Sequence, residues 1–308
     1  MPRRATVFAP GSVGNVGPGF DVLGLAVGGI GDTVTVELHE GPDVIEVVTG
    51  RDAARIPREA ARNCASIAAR AFLDDHGARD LRFRMIIDKG LTVSGGMGGS
   101  AASSVAGALA AARVIDQHPS PAALMEAARA GECAVSGRHL DNIAAAALGG
   151  LTLVRSSEPM DVVKVPLRGE WWIALVTPDV RIETRAARAL LPEAWGSAEW
   201  VQQMANTAAL VLAFATGDRE LIRRSLHDGY AEPRRAALIP RFAEVKEAAL
   251  ACHALGCSIS GSGPTVFALA SASADAFRCA SVMQAAFAET PSRTHVGRVA
   301  NEGAREMQ

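Results

Sequence analysis

The sequence predicts an α+β protein built from two packed domains. The chain has 308 residues, more than one hydrophobic core usually organises. Hydrophobic residues make up 49% and charged residues 21%, which is the balance of a globular protein. Strand-like β-branched runs alternate with helical runs. We expect a first domain over residues 1–160 and a second over residues 161–308, because the turn-rich stretch Ser156–Gly169 separates the two halves.

The first half is predicted to mix strands and helices. The strands are Ala5–Ala9, Thr33–Leu38, Val44–Val48 and Leu81–Asp88, and a Gly- and Pro-rich loop, Pro10–Phe20, follows the first of them. The helices are Arg58–His76, Gly99–Asp116, Pro121–Val135 and Asn142–Leu148. Gly77 stands where a helix places a left-handed C′ glycine. Ser120 before Pro121 has the form of an N-cap followed by proline at the first helical position.

The second half is predicted to hold a helical stretch between two groups of strands. The first strands are Leu151–Val154, Val162–Val165 and Trp172–Thr177. Helices are expected to begin near Thr184, Ser197, Asp218 and Pro240. The chain then continues with strands Cys257–Ser260 and Thr265–Ala270, a helix over Ala274–Ala288 and a last strand near Thr294–Val299.

Composition argues against several classes of protein. The formal net charge of −2 offers no electrostatic footprint for nucleic acid. The longest small-apolar stretch, Ala101–Ala112, falls short of the roughly 20 residues that a membrane span needs. The five cysteines are scattered and form no Cys-x-x-Cys pair, so neither a disulfide framework nor a structural zinc site is expected. We therefore expect a cytoplasmic protein without a membrane anchor.

The strongest chemical signal is the glycine-rich segment Ser94–Ser104, which leads into the predicted helix Gly99–Asp116. Glycines let backbone N–H groups crowd around an anion, and the positive end of the following helix faces the same place. Ser100, in the first turn, could direct its hydroxyl at a phosphate oxygen or a magnesium ion. Three kinds of phosphate-binding loop are possible interpretations of this segment, and a flexible linker without a ligand is the fourth.

Two of the three kinds of phosphate loop fit poorly. A Walker A loop requires a lysine after its glycines, and no lysine follows these. A dinucleotide-binding fingerprint is formally present from Gly96 to Ala101. That motif turns directly from strand to helix, whereas seven residues separate Asp88 from Gly96. Its acidic partner would be Asp116, which does not end a second strand.

The third kind rests on a resemblance to a known family. Gly96–Ala102 resembles the Gly-Leu-Gly-Ser-Ser-Ala-Ala motif of the GHMP kinases, which include galactokinase, homoserine kinase and mevalonate kinase. Met97 replaces the leucine, and Gly99 replaces the first serine. Ala9–Asp21 is similar to the family's first motif as homoserine kinases have it, and Gly256–Leu269 is similar to its third. The three motifs occur in the family's order and span nearly the whole chain.

The resemblance implies a fold, cofactors and roles. The fold is the GHMP kinase fold, with an N-terminal ribosomal-protein-S5-domain-2-like domain and a C-terminal ferredoxin-like α/β domain. The last glycine motif would brace the phosphate loop. The cofactors are ATP and Mg²⁺, with Mg²⁺ on Ser100 and Glu132. The residues implied to hold the nucleotide are Asn63, Gly95, Gly96, Met97, Gly98, Gly99, Ser100, Ala101 and Ser103.

Three further stretches imply an amino-acid substrate. His139–Gly150 resembles a homoserine kinase segment that puts Asn142 at the substrate hydroxyl. It also puts Asp141 where related kinases carry a catalytic aspartate; whether Asp141 acts as a base is left open. Thr184–Pro192 and Glu232–Pro240 resemble two more such segments and supply two arginines suited to a carboxylate. The implied substrate-binding residues are Asn15, Asp21, Thr184, Arg188 and Arg235, with Asp21 at the substrate ammonium.

The resemblance therefore implies a kinase that phosphorylates the side-chain hydroxyl of L-homoserine in threonine biosynthesis, acting as a homodimer. Two alternatives stay open. One is a GHMP kinase for another small alcohol. The other is a GHMP-fold protein that binds a nucleotide or metabolite without transferring a phosphoryl group. The retained Ser100 and Glu132 count against the second alternative.

Overall fold

A computed structural model describes residues 4–307, and two β-sheets organise this part of the chain. The strands are β1 (Arg4–Gly14), β2 (Leu23–His39), β3 (Val44–Gly50), β4 (Arg82–Lys89), β5 (Leu151–Ser157), β6 (Met160–Val165), β7 (Trp172–Pro178), β8 (Gly256–Ile259), β9 (Val266–Ala270), β10 (Ser292–Arg298) and β11 (Arg305–Glu306). The helices are α1 (Cys64–Asp75), α2 (Gly99–Val114), α3 (Pro121–Val135), α4 (Asp141–Leu148), α5 (Thr184–Ala189), α6 (Ser197–Thr216), α7 (Arg219–Ser225), α8 (Glu232–Arg235), α9 (Phe242–Ala251) and α10 (Ser273–Ala286). The predicted α+β class is confirmed.

The larger sheet is built around β2. Its strand order is β11-β1-β2-β4-β3, with β5 pairing with the start of β2 and β6 pairing with β5. Helices α2 and α4 pack on β1 and β2, and α1 and α3 pack against α2. Helix α2 is buried along almost its whole length, which explains its alanine-rich sequence. At Gly107 of α2 and Gly131 of α3, a Cβ would collide with the backbone of α1, so these glycines bring the three helices close together.

The smaller sheet has the order β10-β7-β9-β8, and all its neighbouring strands are antiparallel. With β7, β8, β9 and β10 as first to fourth strands, this is the order of a β-α-β-β-α-β ferredoxin-like unit. Alternate side chains of β7 face two different hydrophobic cores, one on each side of the sheet. Ile173 and Leu175 join the core shared with the larger sheet, whereas Ala174 and Val176 face α9 and α10.

Several predicted boundaries were wrong. The predicted loop Pro10–Phe20 begins too early, because β1 continues to Gly14 by pairing with β2 beyond a bulge at Pro10. Helix α1 begins at Cys64 and not at Arg58. The Asn63 side chain caps it by accepting hydrogen bonds from the backbone amides of Ala65 and Ser66. Gly77 has a φ of 73°, as predicted for a C′ glycine. The short elements α8 and β11 were not predicted.

The chain passes from the larger sheet to the smaller sheet near the predicted domain boundary, and its last strand returns to the larger sheet. Strand β6 still belongs to the larger sheet, the smaller sheet begins at Trp172, and β11 returns to the larger sheet. The division at residue 160 stays a prediction. Within residues 4–307, no helix combines the length and apolar character required to cross a membrane.

Candidate active site

A cavity of about 510 Å³ brings together side chains from both halves of the chain. The predicted site residues that line it are Asn15, Asp21, Asn63, Gly95, Gly96, Gly98, Gly99, Ser100, Ser103, Glu132, Asp141, Asn142, Thr184, Arg188 and Arg235. Met97 and Ala101 are not among the lining residues, because their side chains are buried in the hydrophobic core. Residues predicted from separate motifs thus meet at one place.

The glycine-rich segment forms a tight loop at one end of the cavity and leads directly into α2. Gly98 has a φ of 64° and occupies the N-cap position of α2. Gly96 has a φ of 77°, and a Cβ there would lie 2.6 Å from the carbonyl oxygen of Ser260. The first N–H groups of a helix lack intrahelical acceptors. The amides of Gly99, Ser100 and Ala101 therefore form the anion-binding end of α2, and Ala101 can contribute through its backbone.

The segment between β8 and β9 holds the glycine-rich loop in place. Ser260 Oγ donates to the carbonyl oxygen of Gly96 at 2.6 Å, and the backbone N–H of Thr265 donates to that of Gly95 at 3.3 Å. The backbone N–H of Gly261 donates to Gly14 at 3.1 Å. This segment connects the first and second glycine motifs, so it forms the brace that the resemblance implies.

Ser100 and Glu132 meet at the first turn of α2. Ser100 Oγ donates to Glu132 Oε1 at 3.0 Å, and Ser136 Oγ donates to the same oxygen. Glu132 Oε2 is buried and has no hydrogen-bond partner within residues 4–307. Burial raises the pKa of Glu132, although the two serine hydroxyls oppose that rise. A buried carboxylate oxygen without a partner is stabilised by a donor or a cation, so the pair fits a magnesium site.

Beneath the loop lies a buried charge pair that sequence reasoning missed. Lys89 Nζ contacts the carboxylate of Asp32, and it also donates to Ser103 Oγ at 2.9 Å and to the carbonyl oxygen of Gly99 at 3.2 Å. Ser103 Oγ donates in turn to Asp32 Oδ2 at 2.7 Å. The Ser103 hydroxyl thus serves this network, and its predicted contact with the nucleotide stays a prediction. Lys89 lines the cavity, and its ammonium, paired with Asp32, lies behind the glycine-rich loop.

At the other end of the cavity, charged groups surround Asp21. Arg188 Nη2 lies 2.7 and 2.9 Å from the two carboxylate oxygens, and His139 Nδ1 lies 3.5 Å from Oδ2. Burial alone would raise the pKa of Asp21, but the hydrogen bonds from His139 and Arg188 outweigh it and hold this pKa below its usual value. The same contact with Asp21 raises the pKa of His139. An ionised carboxylate is therefore fixed at this end.

The two predicted arginines flank one aromatic ring. The Cζ atoms of Arg188 and Arg235 lie 5.0 and 5.4 Å from the centre of the Phe20 ring. Arg235 is buried, and its Nη1 donates to the carbonyl oxygen of Gly261 at 2.9 Å. Arg188 Nε is buried without a hydrogen-bond partner among the residues that the structure describes. The guanidinium pair thus keeps donor capacity for an anionic group.

Asn15, Asp141 and Asn142 lie between the phosphate loop and the arginines. The Asn15 side chain donates from Nδ2 to Gly261 and accepts from the Asp21 amide, each at 3.1 Å. The Asn15 backbone N–H lies 3.3 Å from Asp141 Oδ2. Asp141 is buried, and burial together with the charge of Asp21 raises its pKa to about 6. The Asn142 side chain lies beside it and lines the same cavity.

Comparison with known proteins agrees with this geometry. Residues 63–150 match the GHMP kinases N terminal domain, and residues 210–289 match the GHMP kinases C terminal region. A homoserine kinase of Xanthomonas campestris is 44% identical over 288 residues, which cover 93% of this chain and 88% of that protein. A homoserine kinase of Chlorobium phaeobacteroides is 40% identical over 291 residues, covering 91% of each.

The chain belongs to the GHMP kinase family. A crystal structure of homoserine kinase from Cytophaga hutchinsonii matches it with a TM-score of 0.94 at 36% identity, covering 100% of this chain and 98% of that one. L. major mevalonate kinase matches with a TM-score of 0.72 at 16% identity and shares the fold alone. The predicted GHMP kinase fold is confirmed.

Two predicted contacts of this GHMP kinase lie at the rim of the cavity. Asn63 Oδ1 accepts from the amides of Ala65 and Ser66 at 3.0 and 3.3 Å, and Nδ2 donates to Pro57 at 2.9 Å. Most of its hydrogen-bonding capacity is thus used in capping α1, and contact with a nucleotide stays a prediction. Thr184 Oγ1 lies 3.3 Å from Ser262 Oγ, which links α5 to the brace segment.

Proposed function

We propose that this chain is a homoserine kinase, which transfers the γ-phosphoryl group of ATP to the side-chain hydroxyl of L-homoserine and yields O-phospho-L-homoserine for threonine biosynthesis. One observation carries the proposal. A single cavity has a phosphate-type cradle with Ser100 and Glu132 at one end, and at the other end Arg188, Arg235 and Asp21. The second group complements the carboxylate and ammonium of an amino acid. The names of the relatives support the same substrate.

The nucleotide would occupy the end of the cavity formed by the glycine-rich loop. The backbone amides at the start of α2 would hold its phosphates, and Lys89 would add positive charge beneath them. Asn63 would lie near the adenine. Phosphoryl transfer depends chiefly on positioning and charge stabilisation, and these fixed dipoles and charges supply both.

Mg²⁺ would be held by Ser100 and Glu132. Glu132 Oε2 is free to ligate, while Oε1 accepts hydrogen bonds from Ser100 and Ser136. Bound there, the ion would neutralise charge on the phosphates. The part of the chain that the structure describes has no group of three or more His, Cys, Asp or Glu side chains placed to hold a metal ion. A site with few protein ligands suits Mg²⁺, which keeps waters and substrate phosphates as its other ligands.

The amino acid would bind between the arginines and Asn142. Arg188 and Arg235 would hold its carboxylate, and Asp21 would face its ammonium while remaining paired with Arg188. Thr184 and Asn15 would complete this wall of the site. The substrate hydroxyl would lie at Asn142. Its oxygen forms the new bond to phosphorus, the bond from the γ-phosphorus to the bridging oxygen of ADP breaks, and the hydroxyl proton is released.

We also propose a cytoplasmic homodimer. Helix α6 exposes Trp200, Val201, Met204 and Leu212, and its sequence from Trp200 to Thr216 carries no ionisable side chain. Exposed apolar surface of this extent marks an interaction site. A second copy offers the same uncharged face, as a two-fold symmetric interface requires. Light scattering of the purified protein tests this, with Leu212→Glu expected to give monomers.

The decisive experiment measures ADP release from Mg-ATP with homoserine, serine, threonine, mevalonate and galactose. We expect turnover with homoserine and much less with the others, with the phosphorylated product confirmed by mass spectrometry. Turnover with mevalonate or galactose but not homoserine would support the other-alcohol alternative. ATP binding without turnover of any acceptor would support the non-catalytic alternative. Glu132→Gln serves as the inactive control for contaminating kinases.

A further inference from the structure

Ser12 lies within the first glycine motif, where no role was predicted for it, and its hydroxyl bonds to the side chain predicted to face the substrate hydroxyl. Ser12 Oγ donates to Asn142 Oδ1 at 2.9 Å. The two residues are 130 positions apart in sequence and come from the end of β1 and the start of α4. Ser12 is 0% exposed, whereas Asn142 is half-buried and lines the cavity, so the bond joins a buried hydroxyl to a side chain that a substrate can reach.

Two glycines enclose the Asn142 amide. A Cβ at Gly14 would lie 2.8 Å from Asn142 Nδ2, and a Cβ at Gly98 would lie 2.9 Å from Asn142 Oδ1 and would collide with Ser12 Oγ. Gly14 belongs to β1, and Gly98 belongs to the phosphate loop. Moreover, the Ser12 backbone N–H donates to the carbonyl oxygen of Met97 at 3.0 Å. The phosphate loop therefore lies directly on the bond between Ser12 and Asn142.

We propose that Ser12 is a positioning residue for phosphoryl transfer. This proposal rests on the proposed function, since it assigns Asn142 to the acceptor hydroxyl. A hydroxyl donor on Oδ1 determines which end of the amide is an acceptor and which is a donor. Ser12 occupies Oδ1. One Nδ2 hydrogen faces Asp141 Oδ1 at 3.5 Å, and the other is left to donate to the hydroxyl oxygen of the substrate. Because Ser12 also holds the backbone of the loop at Met97, it links the position of the attacking oxygen to that of the phosphates.

The arrangement also explains the glycines at the two ends of the segment Gly11–Gly14. Larger side chains at Gly14 would displace Asn142, and at Gly11 a Cβ would approach Leu91 within 2.8 Å. Asn142 and Leu91 therefore limit these two positions to glycine. Loss of the Ser12 hydroxyl would misorient Asn142 and slow transfer without preventing nucleotide binding, because an alanine at this position keeps the backbone N–H that bonds to Met97.

The test is a double-mutant cycle of Ser12→Ala and Asn142→Ala with kcat and both KM values measured. We expect Ser12→Ala to lower kcat about tenfold, the size of one lost hydrogen bond, while the KM for ATP changes less than about twofold. In the Asn142→Ala background, Ser12→Ala should have almost no further effect. A matched control is Ser225→Ala, which removes another buried hydroxyl, one that donates to Leu221 on α7.

An unchanged kcat in Ser12→Ala, or an equal loss in the presence and absence of Asn142, would overturn the proposal. If the wild-type protein prefers another acceptor, the proposed function fails and the cycle is measured with that acceptor. A readout independent of turnover is the nitrogen-15 side-chain amide resonance of Asn142, identified by its absence in Asn142→Ala. We expect Ser12→Ala to shift this resonance, and Ser225→Ala to leave it in place. An unshifted resonance in Ser12→Ala would contradict the proposal even in an inactive protein.

Discussion

The Ser100 hydroxyl donates a 3.0 Å hydrogen bond to one oxygen of Glu132, while the other oxygen of this buried carboxylate has no partner in the described part of the chain. A hydroxyl can donate its hydrogen and still offer a lone pair. Ser100 can therefore remain bonded to Glu132 while both groups ligate a cation. The positions of Ser100 and Glu132 therefore suit a shared cation.

Glu132→Gln should accordingly abolish metal-dependent catalysis without unfolding the protein. We expect turnover to fall by on the order of 100-fold or more, because the charge that holds the cation is lost. Thermal stability should not fall, since the substitution removes an unpaired buried charge. Ser100→Ala should also lower turnover strongly. The measurements are steady-state turnover and calorimetric ATP binding with and without Mg²⁺.

The control for this prediction is Glu126→Gln on the same helix, where the carboxylate is exposed and pairs with Arg129. It should behave like the wild type. If Glu132→Gln or Ser100→Ala keeps near-normal turnover and the normal Mg²⁺ dependence of ATP binding, that residue does not belong to the metal site.

A second prediction concerns the ion pair between Arg188 and Asp21. Arg188→Lys keeps the charge but loses the planar fork that can hold a carboxylate with two hydrogen bonds. We expect the KM for homoserine to rise by about 10- to 100-fold, with little change in the KM for ATP, because the nucleotide end is separate. Arg278→Lys, at an exposed surface pair on α10, is the control. A rise in the KM for ATP alone would assign Arg188 to the phosphates instead.

The sequence predicted the elements whose signals are local. The N-cap Ser120 before Pro121 and the C′ glycine Gly77 both appear in the structure. The loop after β1 was misplaced because glycine and proline favour turns, whereas here Gly11–Gly14 are held in a strand by pairing with β2. Pairing partners outside the segment override such local preferences.

The buried pair of Asp32 and Lys89 could not be predicted, because it too depends on the pairing of distant strands. Asp32 lies in the middle of β2, and Lys89 is the last residue of β4, 57 residues away. Neither residue alone predicts burial, because a single charged side chain is ordinarily solvated. Their burial together depends on the antiparallel register of β2 and β4. Ser100 and Arg188 were predicted because they lie in recognisable motifs, and Glu132 was predicted from its place on a helix. Ser12 and Ser136 act through tertiary contacts that no motif describes.

A third prediction concerns Gly99, where the family motif has serine. A Cβ at Gly99 would lie 3.4 Å from Leu91 Cβ and 3.6 Å from Lys89 Nζ, which are ordinary contact distances. Gly99→Ser should therefore fold normally and keep turnover within about threefold of the wild type. Gly98→Ser is the matched contrast, because Gly98 has a positive φ and its Cβ would collide with Ser12. It should lose most turnover. Equal behaviour of the two variants in turnover and thermal unfolding would contradict this account.

The last prediction follows from the buried carboxyl of Asp141. Burial, followed by the nearby charge of Asp21, raises its pKa from 3.8 to about 6 in the folded protein. A raised carboxyl pKa means that ionisation costs the folded state free energy above pH 6, and this cost disappears as the pH falls below the unfolded value. Asp141→Asn should therefore increase the free energy of unfolding at pH 8 by up to about 3 kcal/mol and have little effect near pH 3.5. Urea unfolding at the two pH values measures this difference, with the exposed Asp80→Asn as control. Equal changes in the free energy of unfolding for Asp141→Asn at both pH values would show that folding does not raise the pKa of the Asp141 carboxyl.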